Sequence, residues 1–367
     1  MRILFLSHSY PPIVGGVENH NCSLASHLKE ISDVTVLANS KGKKALPFFL
    51  IYTFVRSFFA MTRHDVCLCG SGVLAPLCAV LRFFHPQKRF YCVTHGLDVT
   101  YAERSGFLPL IYRKINIPSL KKMDRIFMVG NPTVEEAVKQ GVPRDKCVVI
   151  PNGVDPGELQ EKHSRAELEG LLKINLEDKK VILRLGRFVP HKGTSWFIKS
   201  VMPLLPDSVI FVVAGNRVSE NTAGDKDDYP LCEKIIKEEK LEKRVLLLPS
   251  LPQKDLKILL NTVDLVVSPN IKVPGTMEGF GINVIEAGVC GRFVVASDLE
   301  GLADAIENGQ NGILIEPENA EHWQKKIQAI FDAGGEFIEK FGDRAADYVE
   351  RRFSWDSIAK RFLDQMK

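Results

Sequence analysis

Short runs of Val, Ile, Leu and Phe recur along this chain with helical stretches between them, and that alternation limits the fold more than any single residue does. The runs fall at 2–7, 33–38, 65–69, 89–94 and 125–129 in the front half. In the back half they fall at 180–185, 208–214, 244–248, 264–268, 292–296 and 312–315. They are apolar on successive residues rather than on alternate ones, so both faces of each strand must be covered. Strands covered on both faces and joined by helices make parallel α/β sheets. The alternation stops and restarts around Pro151-Asn152-Gly153-Val154-Asp155, before a charged stretch, which places a hinge there. A chain of 367 residues is long enough to bury two cores. The expected fold class is therefore α/β, with doubly wound domains at 1–155 and 156–352. Residues 353–367 read as an amphipathic helix through Phe353, Trp355, Ile358, Phe362 and Met366.

Composition narrows the class. Hydrophobic residues at 45% and charged residues at 25% exclude a disordered chain. The opening run Arg2 to Leu6 is too short for a signal segment, and His8, Pro11 and Pro12 interrupt it, so no secretory signal is expected. The eight cysteines are scattered, and Cys67-x-Cys69 lacks the spacing of a paired zinc knuckle. Buried thiols in a reducing cytoplasm are expected rather than a metal site or disulfides. The net charge of +3 hides an asymmetry: residues 1–155 hold 19 Lys+Arg against 11 Asp+Glu, or +8, which leaves −5 for the remainder. A basic front half suits an anionic membrane surface or a phosphorylated acceptor, and equally a plain solvated face. No nucleic-acid partner is expected. Residues 45–61 are almost entirely apolar, follow Lys41, Lys43 and Lys44, and are broken by Arg56. That stretch is short for a membrane span. A buried core helix and a helix seated among lipid headgroups both fit it.

Four segments carry candidate chemistry. After the first strand, Gly15-Gly16 precede a helix expected near Val17, where backbone amides can approach an anion closely. His95-Gly96 follow the strand at 89–94, at the strand end where ligands of parallel sheets gather. Gly186-Arg187, with Lys192 a short loop later, follow the strand at 180–185. Two cations there make a diphosphate clamp or two solvated loop charges. The most informative segment is Glu278-Gly279-Phe280-Gly281-Ile282, followed by Glu286. Its glycines form a tight loop, Ile282 starts a helix whose free amides suit phosphate, and Glu286 lies about two turns in. The two carboxylates would stand on the order of 10 Å apart, the scale of a nucleotide sugar. Each can accept two hydrogen bonds from a diol.

In this ordered set the chain resembles the family 4 type of retaining glycosyltransferases, which have the GT-B architecture. The resemblance rests on Gly15-Gly16, His95-Gly96, Ile150 to Asp155, Gly186-Arg187 with Lys192-Gly193, and the pair Glu278 and Glu286. It implies two Rossmann-like domains facing across a cleft, with helix 353–367 packed back on the first domain. It further implies a donor that is a UDP- or GDP-linked sugar, bound without a metal or other cofactor. Arg187 and Lys192 would hold the diphosphate and Glu286 the ribose. Glu278 would contact sugar hydroxyls beside Gly279, Phe280, Gly281 and Ile282. His95 would lie at the reacting sugar, with Gly15 and Gly16 near phosphate or acceptor. The implied activity is hexosyl transfer to a lipid-linked or saccharide acceptor at the cytoplasmic membrane face, in glycan or glycolipid synthesis. A sugar-nucleotide epimerase of the same architecture and a non-catalytic donor-binding subunit are the alternatives. The chain departs from the family pattern at Gly215-Asn216-Arg217, Gly291-Arg292-Phe293 and Glu300-Gly301-Leu302-Ala303-Asp304.

Overall fold

The computed structural model describes residues 1–13, 15–103, 106–218 and 226–367. They form two compact units, Met1–Gly153 with Phe353–Lys367, and Val154–Arg352. The first unit runs β1 (Arg2–Ser7), α1 (Gly16–Ile31), β2 (Asp33–Ala38), α2 (Leu46–Ala60), β3 (Val66–Cys69) and α3 (Ala75–Phe84). It continues with β4 (Arg89–Thr94), α4 (Gly96–Thr100), α5 (Phe107–Leu120), β5 (Arg125–Met128), α6 (Asn131–Lys139) and β6 (Cys147–Val149). The second unit runs α7 (Pro156–Leu159), α8 (Arg165–Leu172), β7 (Lys180–Leu185), α9 (Thr194–Ser200), β8 (Val209–Gly215) and α10 (Tyr229–Glu238). Next come β9 (Val245–Pro249), α11 (Gln253–Thr262), β10 (Leu265–Ser268), α12 (Ile282–Val289) and β11 (Phe293–Ser297). Then follow α13 (Gly301–Ala305), β12 (Ile313–Ile315), α14 (Ala320–Asp332) and α15 (Gly335–Phe353). The chain then returns to the first unit with α16 (Trp355–Met366).

Each unit holds a six-stranded parallel sheet, in the orders β2-β1-β3-β4-β5-β6 and β12-β11-β10-β7-β8-β9. Every apolar run read from the sequence is a strand to within a residue or two. The strand the sequence hides is β6, whose three residues are all half-buried. They sit at a sheet edge, where neither full burial nor a readable period develops.

Strand geometry sends successive side chains to opposite faces. Leu4, Leu6, Cys67, Cys69 and Cys92 therefore meet α2, α3 and α5 on one side of the first sheet. Ile3, Phe5, Leu68, Tyr91 and Val93 meet α1 and α16 on the other. The cysteines are free thiols, and Cys67, Cys69, Cys78 and Cys92 are wholly buried as core residues. In the second unit Phe211, Val267 and Phe293 pack with Phe197, Trp323 and Ile327 from the covering helices.

Two local features follow from side-chain chemistry. The hydroxyl of Ser354 caps α16 by accepting from the Ser357 amide, and Ile358, Phe362 and Met366 then fall on one buried stripe. The Phe362 ring lies 5.0 Å from that of Phe127. By contrast, α2 is apolar on both sides, with Leu46, Phe49, Leu50, Phe54 and Phe58 packed on the core. Phe49, Thr53 and Ser57 point inward, while Phe48, Ile51, Tyr52, Val55 and Phe59 are exposed. Among the described residues no helix is long and apolar enough to cross a membrane.

Phe362→Ala should lower the unfolding free energy of the first unit by about 3–5 kcal/mol, the usual cost of removing a buried aromatic ring. Chemical denaturation followed by circular dichroism measures it.

Candidate functional site

Ligands of open parallel sheets settle outside the carboxyl ends of the strands where strand order reverses. In the second sheet that point lies between β7 and β10. The loop after β7 carries Gly186, Arg187 and Lys192, and the loop after β10 carries Asn270 and Glu278. The two loops are stitched by backbone. The Ile271 amide donates to the His191 carbonyl at 3.0 Å. Gly193 has φ +68, and a Cβ there would overlap the Pro269 carbonyl oxygen, so only glycine permits this approach.

At the centre, the Lys192 ammonium forms an ion pair with Glu278 Oε2. Asn270 Nδ2 donates to the same oxygen at 3.0 Å. Behind it, Ser268 Oγ donates to Asn270 Oδ1 at 3.2 Å, and Asn283 Nδ2 donates to Ser268 Oγ at 3.1 Å. A relay of hydrogen bonds thus runs from the first turn of α12 to the carboxylate. Burial alone would raise the Glu278 pKa, but the adjacent Lys192 charge overrides it and holds the carboxyl at about 2. For Glu286 the balance is reversed: burial pushes its carboxyl up, and the attraction of Lys192 offsets only part. The two acids of one motif are therefore electrostatically unlike, Glu278 held below the ordinary carboxylate value by Lys192 and Glu286 pushed above it by burial. Glu286 is the fifth residue of α12, just over one turn in rather than two.

Residues 300–301, where the chain departs from the family pattern, hold this loop. The Glu278 amide donates to Glu300 Oε2 at 2.7 Å, and the Gly301 amide donates to the Glu278 carbonyl at 3.0 Å. Lys272 fixes the other Glu300 oxygen at 2.6 Å. A Cβ on Gly301 would overlap the Gly279–Phe280 peptide. Phe280 is buried, Gly281 adopts φ +79, and Ile282 opens α12. The leading amides of a helix are the donors an anion would meet; here the Val284 amide donates to the Gly281 carbonyl at 3.1 Å, which leaves that role to Ile282 and Asn283.

Arg184 is a site residue that sequence reasoning missed. It is the one charge inside the run Val181-Ile182-Leu183-Arg184-Leu185, which was the available signal. Its guanidinium is 1% exposed and donates to the Gly186 carbonyl and, at 3.1 Å, to the Arg187 carbonyl. It thereby shapes the turn from which the exposed Arg187 projects. Burial lowers its pKa to about 10, so it remains charged at neutral pH.

Gly15, Gly16 and His95 belong to the first unit. There the order reverses between β1 and β3. His8, after β1, meets Ser71, after β3, at 2.6 Å between Nδ1 and Oγ. The helix α1 begins at Gly16, one residue earlier than expected, and Glu18 in its first turn accepts from Ser9 Oγ at 2.5 Å. Gly15 is extended and Gly16 faces open space; Val14, part of the same loop, lies outside the described residues. His95 follows β4, its amide donating to Asp98 Oδ2 at 3.0 Å. Its ring is edge-on to His20 at 4.9 Å, and His20 Nδ1 lies 2.7 Å from Asn152 Oδ1. Burial lowers both imidazole pKa values, His20 to about 3, so both rings are neutral at pH 7. His95 Nε2 is buried with no hydrogen-bond partner among the described residues, an acceptor or donor awaiting a polar group. The sequence-predicted residues thus form two groups: Arg187, Lys192, Glu278 to Ile282 and Glu286 in one unit, and Gly15, Gly16 and His95 in the other.

Two substitutions test the electrostatics. Lys192→Met leaves Glu278 buried without its counter-charge, which should cost about 3–5 kcal/mol near neutral pH. In the native protein the depressed pKa makes the Glu278 contribution complete above the unfolded value, 4.5, and lost as pH falls through the folded one. In the variant, burial raises the pKa, so the term becomes unfavourable as pH climbs through the carboxylate range. The stability gap between the two proteins should therefore narrow as pH drops from about 7 to about 3; a constant gap would refute this account. Arg184→Met removes the guanidinium from the Gly186 carbonyl and from the Arg187 carbonyl, which keeps the Val189 amide at 3.0 Å, and should cost about 1–3 kcal/mol, read from the urea midpoint.

The comparisons with known proteins agree with this layout. The chain matches the family model "Glycosyltransferase Family 4" over residues 14–158 and "Glycosyl transferases group 1" over residues 172–348. It is 30% identical over 251 residues to an uncharacterized glycosyltransferase of Methanocaldococcus jannaschii, an alignment covering 64% of this chain and 59% of that relative. It is 26% identical over 281 residues to the N,N'-diacetylbacillosaminyl-diphospho-undecaprenol alpha-1,3-N-acetylgalactosaminyltransferase of Campylobacter jejuni, covering 74% and 69%. The crystal structure of Anabaena Alr3699/HepE in complex with UDP superposes with a TM-score of 0.77 at 18% identity, covering 100% and 99%. The same protein has also been solved with UDP-glucose. At that identity the likeness shows the fold, two parallel α/β domains of the GT-B type. With one family model on each unit, in order, the chain belongs to the group 1, family 4 glycosyltransferases.

Proposed function

We propose that this protein is a retaining glycosyltransferase that moves a hexose from a UDP- or GDP-linked donor to a lipid-linked or saccharide acceptor. The observation that carries the reading is the buried Lys192–Glu278 pair at the strand-order reversal of the second sheet, with Arg187 on the same loop and Glu286 in the following helix. In the reaction the bond from the anomeric carbon to the phosphate oxygen breaks, and a bond from that carbon to the acceptor oxygen forms. The acceptor proton passes to the departing phosphate. Negative charge grows on that phosphate, and Arg187 and Lys192 stabilise it, so no metal is needed. Glu278, held ionised, accepts hydrogen bonds from sugar hydroxyls, and Glu286 accepts from the ribose diol. The neutral His95 faces the transferred sugar, and the basic first unit takes the acceptor. The Campylobacter relative named for a diphospho-undecaprenol acceptor supports a lipid-linked one. HepE, solved with UDP-glucose, supports a uridine donor. The reading extends to glycan or glycolipid synthesis at the cytoplasmic face of the membrane.

A nucleotide panel tests donor binding. UDP or GDP, or a sugar conjugate of either, at about a hundred times its dissociation constant should stabilise the protein by about 2.7 kcal/mol, seen as a higher melting temperature. No shift with any of them would remove the donor reading. With labelled donor and a lipid extract, Glu278→Ala should reduce transfer by at least about a hundredfold, and a chelator should leave it unchanged. Conversion of the donor without any acceptor would indicate an epimerase, and binding without turnover a supporting subunit.

A further inference from the structure

The helices α2, α3 and α5 cover one face of the first sheet and present a second surface that the transfer chemistry does not use. On α2 the outward stripe includes Phe48, Ile51, Val55 and Phe59, with Phe48 77% and Phe59 68% exposed. Its inward stripe includes Thr53 and Ser57, whose hydroxyls are buried without partners among the described residues. A water-facing helix places its apolar stripe inward and a polar one outward; in α2 Leu46, Phe49, Leu50, Phe54 and Phe58 pack inward, yet the outward side is apolar as well, broken only by Arg56 and Tyr52. The neighbouring α3 exposes Phe83 at 80%, and α5 exposes Phe107 at 76%. The surface is continuous between α2 and α3. The ring of Phe59 lies 5.4 Å from Phe58, Phe58 lies 5.5 Å from Phe84, and Phe84 lies 5.3 Å from Phe83. Exposed apolar area on this scale marks an interaction site.

Charge identifies the occupant. None of the three helices contains an Asp or Glu. Arg56, Arg113 and Lys114 lie exposed along them, and Lys44 lies exposed just before α2. We infer that this three-helix face docks in the plane of an anionic lipid bilayer, the aromatic rings at the acyl boundary and the cations at the phosphates. Amphipathic helices with cationic flanks bind membranes in this way. A second copy using the same face would set these cations against their own equivalents with no acid on either helix set to meet them, which disfavours self-association. The inference does not depend on donor chemistry.

The full chain is mixed with vesicles of phosphatidylcholine alone or of phosphatidylcholine with phosphatidylglycerol, then floated at low and high salt. Flotation with the anionic mixture is expected, at least about tenfold weaker with phosphatidylcholine alone and reduced by salt. The combination Phe48→Ser/Phe59→Ser/Phe107→Ser should abolish flotation. The combination Lys44→Glu/Arg56→Glu/Lys114→Glu should abolish the preference for anionic lipid. Melting curves check that both variants fold. A Phe59→Trp protein should show a blue shift of its emission when the anionic vesicles are added. Failure of the native chain to float at low salt, or equal flotation of native chain and both variants, would overturn the inference. So would a dimer that the serine variant abolishes in a chain that does not float, because the face would then serve self-association. A missing nucleotide shift would count against the donor reading alone.

Discussion

The second unit is organised around one largely buried ion pair, Lys192 with Glu278, whose side chains are 14% and 13% exposed. Taking two charges out of water is costly, and their attraction repays the cost only when the remaining hydrogen-bonding capacity is also satisfied. The surroundings meet that demand. Asn270, Ser268 and Asn283 supply the polar relay, and Glu300 and Gly301 fix the backbone that carries the acid. Arg184 braces the opposite loop. The ion pair and the Ile271–His191 backbone bond join the loops after β7 and β10 directly.

The two sheets differ in strand order, yet each presents polar side chains where that order reverses. In the first sheet the helices after neighbouring strands β1 and β3 pass to opposite faces, opening a crevice in which His8, Ser71 and Glu18 gather. In the second, the reversal between β7 and β10 gathers Lys192, Asn270 and Glu278. The chemistry follows topology, with apolar strands setting the frame and polar loop residues occupying the gap it leaves.

The same division explains what could be read from the sequence. Strands buried on both faces declare themselves as continuous apolar runs, so the α/β class was legible; β6, three half-buried residues at an edge, was not. Glu278, Glu286, Arg187 and Lys192 stood out by type and spacing, but nothing in the linear order indicated that Lys192 would neutralise Glu278. Asn270, Ser268 and Asn283 did not stand out because their roles rest on hydrogen bonds that only the fold creates. Glu300 stood out as a departure from the family pattern, but not as the acceptor for the Glu278 amide. Arg184 left a trace, a lone cation in an apolar strand. For α2 the difficulty was orientation. Periodicity defines its stripes, but which one turns inward is decided by packing on α3 and the sheet, and the inward stripe carries Thr53 and Ser57.

The return of the chain to its first unit at α16 has a kinetic consequence. One side of the β1–β5 core is closed by Trp355, Ile358, Phe362 and Met366, residues separated from the rest of that unit by the whole of the second. Domains fold as units in the order of their synthesis, but here Ile3, Phe5 and Phe127 stay incompletely covered until α16, which follows the whole second unit in sequence, has emerged. The second unit, contiguous in sequence, can finish its core first. Synthesis thus lets the second unit close before the first, and β1 waits for partners that lie beyond it.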